Sequence, residues 1–334
     1  MNRILFSSPD SSLVKQFFLG DEISGEKFRS IGGVAICRFN ANEASRFYES
    51  TEKPLLNESD CSENSILESS NEEGEIRRYS RALKQAIVDV ENDLLSKVVV
   101  SRRIRLEGVL NTLSVFKQLV DKHKSAFVYL LDLNGVTYIG ATPELLISKK
   151  GEKVQSDSLA GTKETKAIQN GTQGWQAKEL IEHSIVTDSV KLVYDKYCES
   201  VEVSEREDRV AGRISHLYQQ ISGKLNKESD FLELVSELHP TPAVAGSPVP
   251  DAIQWIETNE GYDRDLYTGY LGVSDGNETN LYVNLRNLKY QNNITTLYVG
   301  GGIVKGSKFE SELEETQHKA ETLLSSIRAH HNIN

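Results

Sequence analysis

The sequence predicts an α+β fold in which helices pack on large antiparallel sheets. Three observations carry this expectation. Runs rich in β-branched and aromatic residues are joined by two-residue turns such as Asn134-Gly135 and Asn292-Asn293, which pair neighbouring strands antiparallel. Between them lie stretches whose apolar residues recur every three or four positions, the period of an amphipathic helix. A chain of 334 residues with 38% hydrophobic content can also bury a sizeable core.

In chain order, a short N-terminal segment, 1–56, precedes an acidic stretch at 57–75 and a main domain at 76–334. In Asn57–Glu75, seven acids occur without a Lys or Arg, which reads as a solvated, mobile loop. Ile76, Tyr79, Leu83, Ile87, Val90 and Leu94 then mark one face of a helix. Val98, Val99 and Val100, with alternation continuing through Ile104 and Leu106, predict a buried strand entered at Lys97. A helix around Leu113–Val120 leads to the hairpin Ala126–Asp132 and Val136–Ile139. Helices follow at Trp175–Tyr197 and Glu228–Leu238. His239–Pro250 holds four of the seven prolines and excludes regular structure. Strands Leu266–Val273, Leu281–Tyr290 and Ile294–Val299 and a helix over Glu310–His330 end the chain. No internal repeat is evident.

The bulk properties exclude several functions. A net charge of −11 disfavours nucleic acid and acidic membranes as partners, and points to a small molecule. No apolar run is long enough to span a bilayer, and Met1–Phe6 lacks the layout of a signal peptide. Cys37, Cys61 and Cys198 are too few and scattered for a disulfide framework or a zinc site. Together these features place the protein in the cytoplasm.

Four acids stand out by spacing. Glu179 and Glu182 share one helix face, and Glu312 and Glu315 repeat the interval on the last helix. Such pairs can converge on a hard cation such as magnesium, although a solvated helix face shows the same spacing. Gly300-Gly301-Gly302 could offer backbone N–H groups to a carboxylate, or could mark a tight turn or crowded strand end. Arg286, among apolar strand neighbours, would be partly buried and would need an anion, either a ligand or an internal acid.

These residues stand in an order that resembles the chorismate-utilising enzymes: isochorismate, salicylate, anthranilate and aminodeoxychorismate synthases. The resemblance begins at Lys97-Val98-Val99-Val100-Ser101-Arg102, Gly140-Ala141-Thr142-Pro143-Glu144-Leu145 and Leu159-Ala160-Gly161-Thr162. It continues at Lys178-Glu179-Leu180-Ile181-Glu182-His183, His239-Pro240-Thr241-Pro242-Ala243-Val244, Arg264 and Tyr267-Thr268-Gly269. Asn284-Leu285-Arg286, Gly300–Val304 and Glu312–Glu315 with Thr316 and Lys319 complete it. It implies two antiparallel sheets layered together with helices outside, and a chorismate-binding catalytic domain over 76–334. It also implies that Glu182 and Glu315 bind magnesium directly, and Glu179 and Glu312 through water. Gly161, Thr162, His239, Tyr267, Arg286, Gly301, Gly302 and Lys319 correspond to positions that line the substrate site.

Within that family, Ala160 stands where aminodeoxychorismate synthases carry a nucleophilic lysine, and Lys97 where water-using members keep a general base. The resemblance therefore implies an isochorismate synthase. Lys97, uncharged, would activate water at C2 of chorismate, and protonated Glu144 would release the C4 hydroxyl. No amidotransferase subunit would be needed, and menaquinone synthesis is the expected fate of the product, with a siderophore pathway left open beside it. Two alternatives stay open: a salicylate synthase that goes on to eliminate pyruvate, and a non-catalytic chorismate-binding homologue. Ala245 and Asp265 depart from the family's usual glycines, and the oligomeric state is not legible.

Overall fold

The computed structural model describes every residue except 1, 40–42, 56–65, 166–167, 169–173, 212–213 and 334. The N-terminal part forms β1 (Arg3–Ser7), β2 (Val14–Ile23), α1 (Gly25–Ile31), β3 (Gly33–Cys37), β4 (Arg46–Lys53) and β5 (Ile66–Ser69). Next come α2 (Glu72–Glu91), β6 (Lys97–Glu107), α3 (Thr112–Lys122), β7 (Phe127–Leu133), β8 (Val136–Thr142), β9 (Leu145–Lys150) and β10 (Lys153–Glu164). The middle comprises α4 (Ala177–Tyr197), β11 (Cys198–Val203), β12 (Glu207–Ala211), β13 (Ile214–Leu225), α5 (Phe231–Leu238), β14 (Gly246–Ser247) and α6 (Val249–Asn259). The chain ends with β15 (Tyr270–Ser274), β16 (Glu278–Val283), β17 (Asn287–Gln291), β18 (Ile294–Val304), α7 (Phe309–Ile327) and β19 (Asn332–Ile333).

One antiparallel ladder runs β6-β18-β17-β8-β7-β1-β2-β4-β3-β15-β16-β9-β10-β13. It folds back on itself into two layers. Phe127 of β7 stacks on Tyr282 of β16 at 4.4 Å, although five strands separate them in the ladder. Around them Ile4, Phe6, Val34, Ile36, Tyr129 and Leu271 fill the space between the layers. β7 shows why: its first five residues are all buried, Phe127, Tyr129 and Leu131 toward the other layer, Val128 and Leu130 toward α3. The helices cover the outer faces, α3 and α7 on one layer, α4 and α5 on the other. The layered α+β expectation therefore holds, and β1–β4 of the N-terminal segment join the two halves. No helix among the described residues is long and apolar enough to cross a membrane.

The two-residue turns form as expected: Asn134 and Gly135 take φ 53° and 80°, and Asn292 and Asn293 take 52° and 59°. Four expectations need correction. Of the acidic stretch, residues 57–65 lie outside the described residues, but 66–75 are ordered as β5 and the first turn of α2, whose acids suit a helix N-terminus. Pro248 and Pro250 do not end structure; they start α6, where a missing N–H costs nothing. The strand expected over Leu266–Val273 begins only at Tyr270, because Asp265 and Thr268 have left-handed φ of 55° and 61°. Leu281–Tyr290 is two strands, interrupted at Asn284–Arg286.

Candidate active site

The site is built on that interruption. β18 pairs with β6 along its whole length, but with β17 only as far as Tyr298. Beyond it one edge of β18 at Gly300–Gly302 has no strand beside it among the described residues, so its backbone groups can face a ligand. The three glycines are therefore strand residues near a crowded strand end, not a tight turn. Their missing side chains make room: a Cβ on Gly302 would lie 2.1 Å from Glu182 Oε1 and 2.8 Å from Lys97 Cε, and one on Gly300 would lie 2.9 Å from the Tyr267 hydroxyl. Gly302→Ala is thus expected to lower turnover at least about tenfold with little change in melting temperature. The groups displaced are the tips of flexible side chains rather than backbone.

The cavity measures about 80 Å³. Lys97, Glu144, Gly161, Thr162, Glu182, Tyr267, Arg286, Gly301, Gly302 and Lys319 all line it, as does Ala160. Lys97 opens β6, is 1% exposed, and places its Nζ 3.1 Å from Glu182 Oε1. Glu144 lies in the Pro143-Glu144 break between β8 and β9. Burial, aided by nearby Asp157, pushes its carboxyl up to about 8 despite Lys97, Lys319 and Arg286. Glu144 therefore holds a proton at neutral pH.

Arg286 is not in a strand. It occupies the break with φ 49°, and Thr268, also left-handed, lines the cavity beside it. Non-glycine residues held in this region carry strain, and they concentrate at functional sites. The crossing is fixed by Thr268 N–H donating to Asn284 O at 2.9 Å and Asn284 N–H donating to Gly269 O at 2.7 Å. Burial lowers the Arg286 guanidinium to about 10, so it stays charged at neutral pH. Among the described residues no carboxylate pairs with it within 4 Å. Its Nη2 donates instead to His216 Nε2 at 3.0 Å.

His216 was not singled out in the sequence. It sits on β13 opposite the bulge of β10 at Gly161–Thr162. Its Nδ1–H donates to Gly161 O at 2.9 Å, which leaves Nε2 free to accept from Arg286. Burial, with Arg286 and Lys319 nearby, lowers its pKa to about 3 and keeps it neutral. Only strand register could have revealed it, and the sequence does not show which strands pair.

The four acids gather at two helix N-termini, those of α4 and α7. Glu182 enters the cavity, while Glu312 and Glu315 approach Gly301: a Cβ there would lie 3.6 Å from Glu312 Oε2 and 3.4 Å from Glu315 Oε1. Glu179 is engaged otherwise, accepting from Gln176 N–H at 2.8 Å to cap its own helix. As the side chains stand, no three acids among the described residues form a ready ligand set. Yet Glu312 Oε2 is buried without a hydrogen-bond partner, and burial and Glu315 together raise its carboxyl. Burial alone would raise Glu182 too, but Lys97, Lys178 and Lys319 hold it below the ordinary range. An orphaned acceptor beside a second carboxylate is a place where a cation fits.

His239 is not among the residues that line the cavity. Its ring lies outside the cavity, edge-on to Tyr270 at 5.0 Å, with Nε2–H donating to Arg38 O at 3.1 Å. Arg264 serves as scaffold: it is buried with Glu260 and donates to Val99 O and Val244 O at 2.7 and 2.9 Å, tying β6 to the proline-rich loop. Asp265 keeps the backbone that a glycine would take. Its carboxylate is bound by Arg38, Lys289 and the Tyr138 hydroxyl, away from the cavity.

Comparison with known proteins agrees with this geometry. The chain is 31% identical over 271 residues to isochorismate synthase DhbC of Bacillus subtilis, a match covering 76% of this chain and 68% of that one. It is 32% identical over 265 residues to the vibriobactin-specific isochorismate synthase of Vibrio cholerae serotype O1, covering 74% and 66%. Against MenF of Bacillus subtilis the match covers 75% of this chain and 55% of the relative. In structure it is similar to DhbC from Bacillus anthracis, assigned as a 2,3-dihydroxybenzoate-specific isochorismate synthase. The TM-score is 0.83 at 26% identity, over 98% of this chain and 96% of that one. With residues 35–328 also matching the profile described as chorismate binding enzyme, the chain belongs to the chorismate-binding enzyme family.

Proposed function

We propose that the protein is an isochorismate synthase that adds water at C2 of chorismate and expels the C4 hydroxyl. The observation that carries this reading is Arg286, a buried cation with no carboxylate partner among the described residues, in a cavity that also holds Lys97 and a protonated Glu144. A buried guanidinium without an anion is costly, and a substrate carboxylate supplies one in two-point contact. Lys97, once uncharged, accepts the proton of the attacking water. Glu144 donates its own to the departing hydroxyl. Ala160 offers no nucleophile, which argues against the aminodeoxychorismate reaction. The intact acid and base argue against a merely binding homologue.

Glu182 and Glu315 are the residues proposed to hold a magnesium ion directly, with Glu179 and Glu312 acting through water. When bound, the ion supplies positive charge that orients the substrate carboxylate. Cys37 and Cys198 are buried free thiols, in keeping with a cytoplasmic setting; Cys61 lies outside the described residues. The relatives include a vibriobactin-specific and a menaquinone-specific enzyme, and the proposed reaction is common to both, with menaquinone synthesis our assignment.

The test is product identity. Incubated with chorismate and magnesium, the protein alone should yield isochorismate, and added ammonium should not divert it. Salicylate with pyruvate would instead identify the lyase-competent alternative. Anthranilate or aminodeoxychorismate as main product would reject water as the nucleophile.

A further inference from the structure

Each of the four acids is held by its own lysine. Lys97 pairs with Glu182 at 3.1 Å, Lys163 with Glu179 at 3.6 Å, Lys319 with Glu315 at 2.7 Å, and Lys178 makes the closest contact, with Glu312. No side chain in these pairs is more than 22% exposed, and Glu312 is 1% exposed. The attractions therefore act in a medium far less polar than water. Four carboxylates are balanced by four ammonium groups, so a divalent cation added to the unchanged cluster would bring two uncompensated positive charges. It can enter only where an ammonium withdraws.

We propose that these lysines stand in for the divalent cation when it is absent, and that Lys178 sets the affinity by competing with it for Glu312. The inference rests on the magnesium reading above. Lys178 is the lysine that can vary without touching chemistry: Lys97 and Lys319 line the cavity, whereas Lys178 does not. It occupies the second position of α4, and its ammonium also acts electrostatically on Glu182 and Glu315. It thus opposes a cation at three of the four acids. Its side chain is 22% exposed, so it has solvent to swing into. Lys163 holds Glu179 at a longer distance, and Glu179 is committed to capping, so Lys163 matters less.

Isothermal titration of Mg²⁺ into the protein without chorismate, repeated with Mn²⁺ by electron paramagnetic resonance, tests this. Lys178→Met should bind either ion about tenfold more tightly than wild type, Lys163→Met more tightly by a smaller factor, and Lys178→Arg like wild type because the charge is kept. Wild-type binding with unchanged affinity in Lys178→Met would overturn the competition. Weaker binding in that variant would also overturn it, by showing that Lys178 holds Glu312 in place for the metal. If neither ion binds the wild type or any variant, the magnesium reading itself fails. Circular dichroism spectra establish that each variant is folded, and Lys178→Gln replaces Lys178→Met if the latter does not fold.

Discussion

Glu182→Ala and Glu315→Ala are each expected to abolish turnover of chorismate while leaving a folded protein. The two should nevertheless differ in what they do to stability. Glu182 is the partner of Lys97, which is 1% exposed. Removing the carboxylate leaves a buried ammonium unpaired, at a cost of about 3 kcal/mol. Glu315 contributes to the unfavourable charge on Glu312. Its removal relieves that repulsion but also takes the carboxylate from Lys319, which is 20% exposed and still donates to Gly300 O at 3.0 Å, so metal-free Glu315→Ala should lose clearly less stability than Glu182→Ala even though it is equally inactive. Melting curves with excess chelator, set beside turnover with saturating magnesium, separate the two effects. A loss of activity that merely tracked loss of stability would remove the case for a shared cation site. So would full wild-type turnover in excess chelator.

What the sequence revealed and what it hid divide along a physical line. Local chemistry was legible. The two-residue turns, the helix face through Tyr79, Leu83 and Val90, and the buried valines of β6 all follow from side-chain period and backbone preference. Most cavity residues were legible as well, because the order of short motifs along the chain specifies them. Non-local pairing was not. Nothing near His216 shows that β13 lies against the Gly161–Thr162 bulge, so the residue that orients Arg286 went unnoticed. The break at Asn284–Arg286 was hidden for the opposite reason: its apolar alternation reads as strand, and only the tertiary crossing with Tyr267–Gly269 forces a left-handed arginine. The orientation of His239 was hidden because motif order says that a residue is near the site, not which way its ring turns. Three of the lysines holding the four acids were also illegible, since Lys97, Lys163 and Lys178 reach their partners from separate elements; only Glu315 and Lys319, four apart on one helix, stand at a spacing that a sequence shows.

Lys97→Ala and Glu144→Gln should each lower kcat on the order of a hundredfold or more, with much smaller effects on chorismate affinity. Both side chains line the cavity, but the group proposed to hold the substrate carboxylate is Arg286, which neither substitution removes. A group that acts mainly in the transition state lowers kcat more than it weakens binding. The pH dependence sharpens the test. Glu144 must be protonated to act as an acid, and its pKa is raised to about 8, so wild-type activity should fall as pH rises through that value. Glu144→Gln should lose this descending limb. Stability carries the same signature with a definite sign. Between the ordinary glutamate pKa of 4.5 and about 8, the folded protein keeps a proton that the unfolded chain gives up. Folding then loses stability progressively with rising pH, and by pH 8 the loss is on the order of a few kcal/mol. Glutamine cannot titrate, so the melting temperature of Glu144→Gln relative to wild type should climb steadily from pH 4.5 to 8 and level off above. A flat difference across that window, together with a retained descending limb in the rate, would show that another group supplies the proton.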